Sequence, residues 1–209
     1  MIKTLLMTAT LAITTFGLAI AHAGPANDKA PQGGNFIYNL SAEPTLLNPL
    51  TSTDMYARYV QEWVVESLLQ RDEDTYEWAP SLATKWEVSK DERTFTFTLR
   101  EGVKFHDGKP MTAEDVKFSF DIIFEPNAAS AHLRPYYEGI EKVEIVDPKT
   151  VRFTAKTKYF QNFDIAAGMT ILPKHIYSNT KNKKLNREMW GTGPYKLASY
   201  DKGQKLVLE

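Results

Sequence analysis

The stretch that decides the fold is residues 81–120, SLATKWEVSKDERTFTFTLREGVKFHDGKPMTAEDVKFSF. Phenylalanine and leucine alternate with threonine over Thr94–Leu99, which predicts a half-buried β-strand. A strand-like run at 84–89 precedes it across four polar residues, so we expect an antiparallel hairpin. The tetrapeptide TAED at 112–115 has the Ser/Thr-x-x-acid spacing of a helix N-terminus, and it predicts a helix that ends at Pro126.

Upstream of this stretch the sequence predicts a strand, a loop and a helix. Residues 35–40 alternate apolar and polar side chains, which is typical of a half-buried strand. Residues 41–54 contain two prolines and predict a loop, and Thr53 or Asp54 is suited to cap the helix that follows. The apolar side chains at helical spacing on one face of that helix are Tyr56, Tyr59, Val60, Trp63, Val64 and Leu68.

Downstream the sequence predicts a second hairpin over 141–155, with a turn at DPKT. Short helices are expected at 159–167 and 173–177, and two closing strands at 195–200 and 204–209. Together these elements predict an α/β fold of the mixed α+β kind, with several hairpins and few long helices.

Composition excludes several classes of protein. The 209 residues are 43% hydrophobic and 24% charged, and 25 Lys and Arg nearly balance 26 Asp and Glu. These values exclude a disordered chain, a multi-pass membrane protein and a strongly basic nucleic-acid binder. The absence of cysteine from the sequence excludes disulfides, cysteine-based zinc sites and a cysteine nucleophile.

The first 23 residues have the pattern of a secretory signal peptide. Lys3 gives a positive start, residues 5–20 are apolar and uncharged, and Ala-His-Ala at 21–23 predicts cleavage after Ala23. The apolar run is short for a bilayer core of about 30 Å, which disfavours a transmembrane helix. We therefore expect a periplasmic or secreted protein, with residues 24–34 as a flexible lead-in.

The sequence contains no recognisable catalytic or metal-binding constellation. His106, His132 and His175 lie far apart and form no H-E-x-x-H pair. His106 followed by Asp107 is compatible with metal binding, but a polar turn is the preferred interpretation because companion ligands are missing. The acidic residues 72–74 likewise favour a solvated turn over half of a calcium site. We expect no enzyme activity, no metal and no cofactor.

Residues 80–116 closely resemble the signature of bacterial extracellular solute-binding protein family 5, the peptide- and nickel-binding components of ABC importers. The shared pattern runs P-x-L-A-x-x-W, F-x-L-R, G-V-x-F-H-D-G and T-A-x-D-V. One departure is Glu92, where the family usually has glycine after the aspartate, and we expect it to alter the turn type but not the assignment. Residues 43–49 (EPTLLNP) and 191–195 (GTGPY) also resemble family segments.

The resemblance implies a type II periplasmic-binding-protein fold that holds its ligand between two lobes closing by hinge motion. It further implies capture of oligopeptides for import, although relatives of this fold also bind nickel chelates, haem, sugars and opines. The expected partners are the ligand and ABC permease subunits; we expect a monomer, peripheral to the membrane, with no nucleic acid. The candidate ligand-binding residues are Ser52, Thr53, Asp54, Tyr56, Gly191, Thr192 and Gly193.

Each candidate also has a structural interpretation, since Thr53 or Asp54 is suited to an N-cap and the glycines to a tight crossover turn. Family members are considerably longer, so we interpret residues 35–209 as the N-terminal part of the domain, with lobe I only and its hairpin-rich subdomain, and the second lobe absent. A chain truncated in this way is expected to bind weakly or not at all. The alternatives are a secreted sensory or scaffold module with this fold, or a secreted hydrolase.

Overall fold

The computed structural model describes residues 33–209, so the predicted signal peptide and most of the predicted lead-in lie outside the described residues. The chain divides into one unit that ends at Asn39 and a second unit, Leu40–Glu209. Residues 35–40 form no strand, and the prediction of a strand there is wrong. Consecutive side chains of a strand point to opposite faces, yet Phe36 and Ile37 are 92% and 90% exposed, so neither face is buried.

Within residues 33–209 the chain forms five α-helices, one 3₁₀ helix and eight β-strands. The α-helices are α1 Met55–Val64, α2 Ala113–Phe124, α3 Arg134–Tyr137, α4 Asn162–Ala167 and α5 Lys174–Tyr177, and the 3₁₀ helix is Lys183–Asn186. The strands are β1 Leu69–Arg71, β2 Trp78–Pro80, β3 Ala83–Val88, β4 Thr94–Leu99, β5 Ile140–Asp147, β6 Thr150–Ala155, β7 Leu197–Asp201 and β8 Lys205–Leu208. In residues 33–209 no helix combines the length and the hydropathy that a bilayer crossing requires.

Two hairpins join into a four-stranded antiparallel sheet of order β3-β4-β6-β5, which confirms both predicted hairpins. The alternation in β4 works as expected, because Phe95, Phe97 and Leu99 are at most 5% exposed while the threonines between them are half-buried. Phe95 lies opposite Phe153 on β6, and the rings of Phe97 and Phe153 meet edge to face with centroids 5.6 Å apart. One hydrophobic cluster therefore lies on one face of this sheet.

Helix α2 connects this cluster to a second one. Phe120 packs into the cluster at the sheet, whereas Ile122 packs into the cluster formed with α1 and the 172–189 region. The predicted N-terminal signal is confirmed, since the carboxylate of Asp115 accepts a hydrogen bond of 2.9 Å from the backbone N–H of Thr112. The helix ends at Phe124, two residues before Pro126, as the sequence predicts.

Helix α1 begins as predicted, but its buried face differs from the predicted one. The buried residues are Ala57, Val60 and Val64, whereas Tyr59 and Trp63 are 41% and 54% exposed. The helix also ends at Val64, so Leu68 is not part of it. Residues spaced three and four apart share a face of a helix, so Ala57, Val60 and Val64 form one apolar stripe. This stripe is narrower than the predicted face, which included the aromatic residues.

A third hairpin, β1–β2, was not predicted, although the turn at its tip was. The carboxylate of Asp72 accepts hydrogen bonds from the backbone N–H groups of Asp74 and Thr75, which makes residues 72–74 a turn rather than half of a calcium site. Hydrogen bonds, chiefly those from Thr75, hold the pKa of Asp72 below its ordinary value. The last hairpin, β7–β8, confirms the two predicted closing strands.

The turn between β3 and β4 generates a test of backbone strain. Glu92 has φ = +55°, a left-handed conformation that costs an L-residue about 1–2 kcal/mol and suits glycine. Its exposed ion pair with Lys158 contributes little. Glu92→Gly is therefore expected to raise the free energy of unfolding by about 0.5–1 kcal/mol in urea titrations.

The matched control is Glu87→Gly in β3, where the backbone is extended, and this variant is expected to lower the free energy of unfolding by about 0.5–1 kcal/mol. An equal loss of stability in both variants would contradict the assigned strain at Glu92.

Candidate functional site

The first group of candidate residues lies at the start of α1, where Asp54 is the N-cap. Its Oδ1 accepts the backbone N–H of Ala57 at 2.6 Å, and its Oδ2 accepts the N–H of Thr45 at 2.9 Å. This arrangement confirms the N-cap interpretation for Asp54. Because both oxygens are occupied, a ligand would have to compete with the backbone for them.

The side chains of the neighbouring residues form fewer hydrogen bonds within the described part of the chain. The hydroxyl oxygens of Thr51 and Ser52 are buried and have no hydrogen-bond partner within the described part of the chain. Thr53 is exposed, and Tyr56 is half-buried with its ring edge-on to Tyr59. A buried hydroxyl without a partner costs about 1–3 kcal/mol, so each of the Thr51 and Ser52 hydroxyls would be stabilised by an added hydrogen-bond partner.

The EPT segment that precedes this group is fixed to the β7–β8 hairpin through Glu43. Its Oε1 lies 2.8 Å from the hydroxyl of Tyr200 and accepts the backbone N–H of Gly203 at 3.0 Å. These two bonds, first that of Tyr200, hold the pKa of Glu43 below its ordinary value of 4.5. Burial and the same hydrogen bond raise the pKa of Tyr200 to about 12.

The second group of candidate residues is the 191–193 loop, which crosses the C-terminal end of α1 at very short range. A Cβ on Gly191 would collide with the carbonyl oxygen of Val64, and one on Gly193 would lie 2.6 Å from that of Trp63. Gly193 N–H also donates to the Val64 oxygen at 3.0 Å. The structure therefore confirms the crossover interpretation for both glycines, because a larger residue would push the loop off the helix.

His106 holds the other side of this loop. Its backbone N–H donates to the carbonyl of Gly191 at 3.0 Å, and its ring lies between Gly191 N–H and the carbonyl of Gly193. Both ring nitrogens are thus occupied by backbone groups, which disfavours a metal at His106. In residues 33–209 no group of three or more His, Asp or Glu side chains is arranged to hold a metal ion.

Asp107, the next residue, connects the same turn to α5. Its Oδ2 lies 2.6 Å from Nε2 of His175. Partial burial raises the pKa of Asp107, but the hydrogen bonds from His175 and from the N–H of Lys109 outweigh burial, so the pKa lies below its ordinary value of 3.8. The H-D-G turn therefore contacts both the crossover loop and α5.

Thr192, between the two glycines, lines a cavity of about 410 Å³. Its hydroxyl oxygen is buried and has no partner among the described residues. Glu66, Arg100 and Lys104 also line the cavity, and none of the three forms an ion pair within residues 33–209. The sequence did not predict these three residues as part of a site. The available signal was Arg100, a charged residue that comes directly after the alternating strand β4 ends.

The structure does not bring the two groups of candidate residues together at one point. Ser52, Thr53, Asp54 and Tyr56 lie at the start of α1, and Gly191 to Gly193 lie at its end. Ten helical residues separate the two groups by about 15 Å. A role of these residues in ligand binding stays a prediction.

Comparison with protein families identifies the kind of chain. Residues 77–209 match the model of the bacterial extracellular solute-binding proteins, family 5. Protein XP55 of Streptomyces lividans is 35% identical over 81% of this chain and 31% of its own length. The oligopeptide-binding protein AppA of Bacillus subtilis is 30% identical over 87% of this chain and 34% of its own length.

Solved structures of similar proteins show the same fold. AppA in complex with a nonapeptide matches 80% of this chain with a TM-score of 0.69 and 31% identity, and NikZ from Campylobacter jejuni in complex with Ni(L-His) matches 80% with a TM-score of 0.70 and 31% identity. In each case the match covers 34% of the longer protein. The mixed α/β fold is thus that of part of a periplasmic binding protein, and the chain spans about a third of the length of its relatives.

The Glu43 contact predicts a specific acid sensitivity. Because its folded pKa is lower than 4.5, the stabilisation is present above that value and is lost as the pH falls through the folded pKa. Glu43→Gln is expected to lose less stability than the unmodified chain between about pH 6 and about pH 3, measured as the urea midpoint. Glu73→Gln, at a carboxylate with no hydrogen bond in the described residues, should show the unmodified acid dependence; identical curves for all three proteins would contradict the assignment.

The close approach of the crossover loop predicts opposite behaviour for two neighbouring residues. Gly191→Ala is expected to lower the free energy of unfolding by about 2 kcal/mol or more, because the new methyl group meets the Val64 carbonyl. Thr192→Val removes a hydroxyl without a partner and is expected to change stability by less than about 0.5 kcal/mol or to raise it. The midpoint of thermal unfolding of each variant, compared with that of the unmodified chain, tests both expectations. An unchanged midpoint in Gly191→Ala would contradict the tight crossing.

Proposed function

This chain belongs to the bacterial extracellular solute-binding proteins, family 5, and we propose that it forms part of the component of an ABC importer that captures oligopeptides. The observation that carries the proposal is the match to AppA, named an oligopeptide-binding protein and solved with a nonapeptide. The chain spans only about a third of such proteins, so the activity, ligand and permease of the whole are proposals.

The arrangement of the two candidate groups supports an extended ligand. They lie about 15 Å apart along α1, and an extended peptide of about five residues spans a similar distance. Thr51 and Ser52 at one end, and Thr192 at the other, offer neutral hydroxyls without partners in the described residues. Neutral donors and acceptors suit the main-chain groups of a peptide, whose binding through the backbone leaves the side chains free to vary.

The charges that line the cavity beside Thr192 suit the charged groups of the same kind of ligand. Arg100 and Lys104 can meet a carboxylate, and Glu66 can meet an ammonium group. A zwitterionic solute fits this lining better than a neutral sugar does. A nickel chelate is the second candidate, because NikZ was solved with Ni(L-His) at a comparable TM-score.

The cellular setting follows from the same proposal. A signal peptide at 1–23, cleaved after Ala23, would deliver the protein to the periplasm, where it would meet the permease subunits as a monomer. AppA is named an oligopeptide-binding protein and was solved with a nonapeptide, which supports a binding role over catalysis. A secreted sensory or scaffold module remains the alternative, since it would share the fold but not the permease.

A chimera tests the proposal and supplies the rest of the fold. Residues 33–209 replace the matching third of AppA, and binding of the nonapeptide is measured by calorimetry. We expect the folded chimera to bind the peptide, with Ser52→Ala and Thr192→Val each weakening affinity by roughly three- to tenfold through loss of one hydrogen bond. Thr84→Ala, on the edge strand β3, is the control and should leave the affinity unchanged.

A chimera with a cooperative unfolding transition that binds no peptide would contradict the proposal. Binding of Ni(L-His) in place of the peptide would favour the second candidate. Unchanged affinity in both hydroxyl variants would leave peptide capture standing and would remove Ser52 and Thr192 from the ligand site.

A further inference from the structure

His106 forms hydrogen bonds to the 191–193 loop through both nitrogens of its imidazole ring. Gly191 N–H donates to Nδ1 at 3.3 Å, and Nε2 lies 2.9 Å from the carbonyl oxygen of Gly193. A backbone N–H can only donate, and a carbonyl oxygen can only accept. These partners require a neutral ring with its single proton on Nε2.

A second proton on the ring would remove one of these bonds. Protonated Nδ1 would present an N–H to the N–H of Gly191, so an attractive contact would become a repulsive one. The bond from Nε2 to Gly193 would remain, as would the backbone bond from His106 N–H to the Gly191 carbonyl. Gly193 N–H would still reach Val64. Protonation would therefore loosen the loop at Gly191 without detaching it.

The histidine on α5 responds in the opposite direction. Nε2 of His175 lies 2.6 Å from Oδ2 of Asp107, and both side chains are less than 30% exposed. Protonation of His175 converts this hydrogen bond into an ion pair, which is stronger. His106 and Asp107 are adjacent residues of one turn, and each takes part in a contact that involves a histidine ring; acid weakens the contact of His106 with Gly191 and strengthens that of Asp107 with His175.

Several charged side chains lie on the elements around His106, and none forms an ion pair with its ring in residues 33–209. The carboxylate of Asp107, its nearest neighbour in sequence, is occupied by His175 and by the N–H of Lys109. The charged side chains on the elements next to the ring are Lys104, Asp107 and Lys109 on its own turn, His175 on α5, Glu66 after α1, and Lys196 after the loop.

We propose that His106 is a positioning residue whose hydrogen bond from the Gly191 N–H exists only while its ring is neutral, so that mild acid loosens the 191–193 loop at Gly191 while the surrounding fold stays intact. The loop carries Thr192, so acid would loosen one of the two predicted ligand-contacting segments. The proposal goes beyond the proposed function and does not depend on which solute is bound.

Nuclear magnetic resonance of the purified full chain without ligand tests this proposal. At about pH 7.5 the ring nitrogens of His106 are expected to show the pattern of the Nε2–H tautomer. On lowering the pH to about 5, the hydrogen-exchange protection factor of the Gly191 amide is expected to fall roughly three- to tenfold relative to that of Phe97 in β4, the loss expected for one hydrogen bond.

Two variants separate this effect from a general loosening. His106→Asn keeps a side-chain oxygen near the Nδ1 position but does not titrate, so the pH dependence of the Gly191 protection factor should disappear. His175→Asn removes the contact to Asp107 and leaves His106 in place, so the pH dependence should persist.

Three results would overturn the proposal: an Nδ1–H tautomer at about pH 7.5, a Gly191 protection factor that does not change with pH, or an unchanged pH dependence in His106→Asn. If His106→Asn does not fold, the tautomer and the exchange data of the unmodified chain decide. No ligand is added, so failure here is distinguishable from failure of the proposed function.

Discussion

One buried carboxylate, that of Asp115, fixes the point where the chain passes between its two hydrophobic clusters. Ile171 belongs to the cluster at the four-stranded sheet and Leu172 to the cluster around α1, so the crossing lies between these two residues. Asp115 Oδ1 accepts the backbone N–H of Lys174 at 3.0 Å, and the hydroxyl of Ser119, one turn along α2, accepts the N–H of Leu172 at 2.8 Å. Asp115 is 6% exposed, and a buried carboxylate needs such partners because burial without them costs several kcal/mol. The positions of both clusters therefore depend on side chains of α2.

Most residues of the segments that identify the family hold this frame together. T-A-E-D caps α2 and holds the crossing, H-D-G carries His106 against the 191–193 loop, and G-T-G-P-Y passes the end of α1 where only glycine fits. Each motif satisfies backbone groups that would otherwise be buried without partners. This explains how proteins solved with ligands as different as a nonapeptide and Ni(L-His) match the same chain at similar TM-scores.

The parts of the fold that the sequence predicts well are those set by neighbouring residues. The alternation in β4 and the capping residues of α2 determine local structure directly, and both predictions are confirmed. The failures concern contacts between distant residues. Residues 35–40 alternate apolar and polar side chains but form no strand. Trp63 packs edge to face against Tyr195, with 5.6 Å between the ring centroids, and does not enter the core. The hydrogen bond between His106 and Gly191 joins positions 85 residues apart, and no local sequence pattern predicts such a contact.

Under the proposed function, a solute would be recognised by polar groups that the fold leaves without partners. Asp54, Gly191 and His106 have their polar groups occupied by the protein's own backbone, so a solute can gain little from them. The buried hydroxyls without partners, Ser52 and Thr192, lie immediately beside these fixed residues. A hydroxyl held by rigid neighbours loses little entropy on binding, which is the condition under which one added hydrogen bond contributes most to affinity. Under the proposed function, substitutions at Ser52 and Thr192 should therefore change affinity more directly than substitutions at Asp54 or His106, whose polar groups the backbone already occupies.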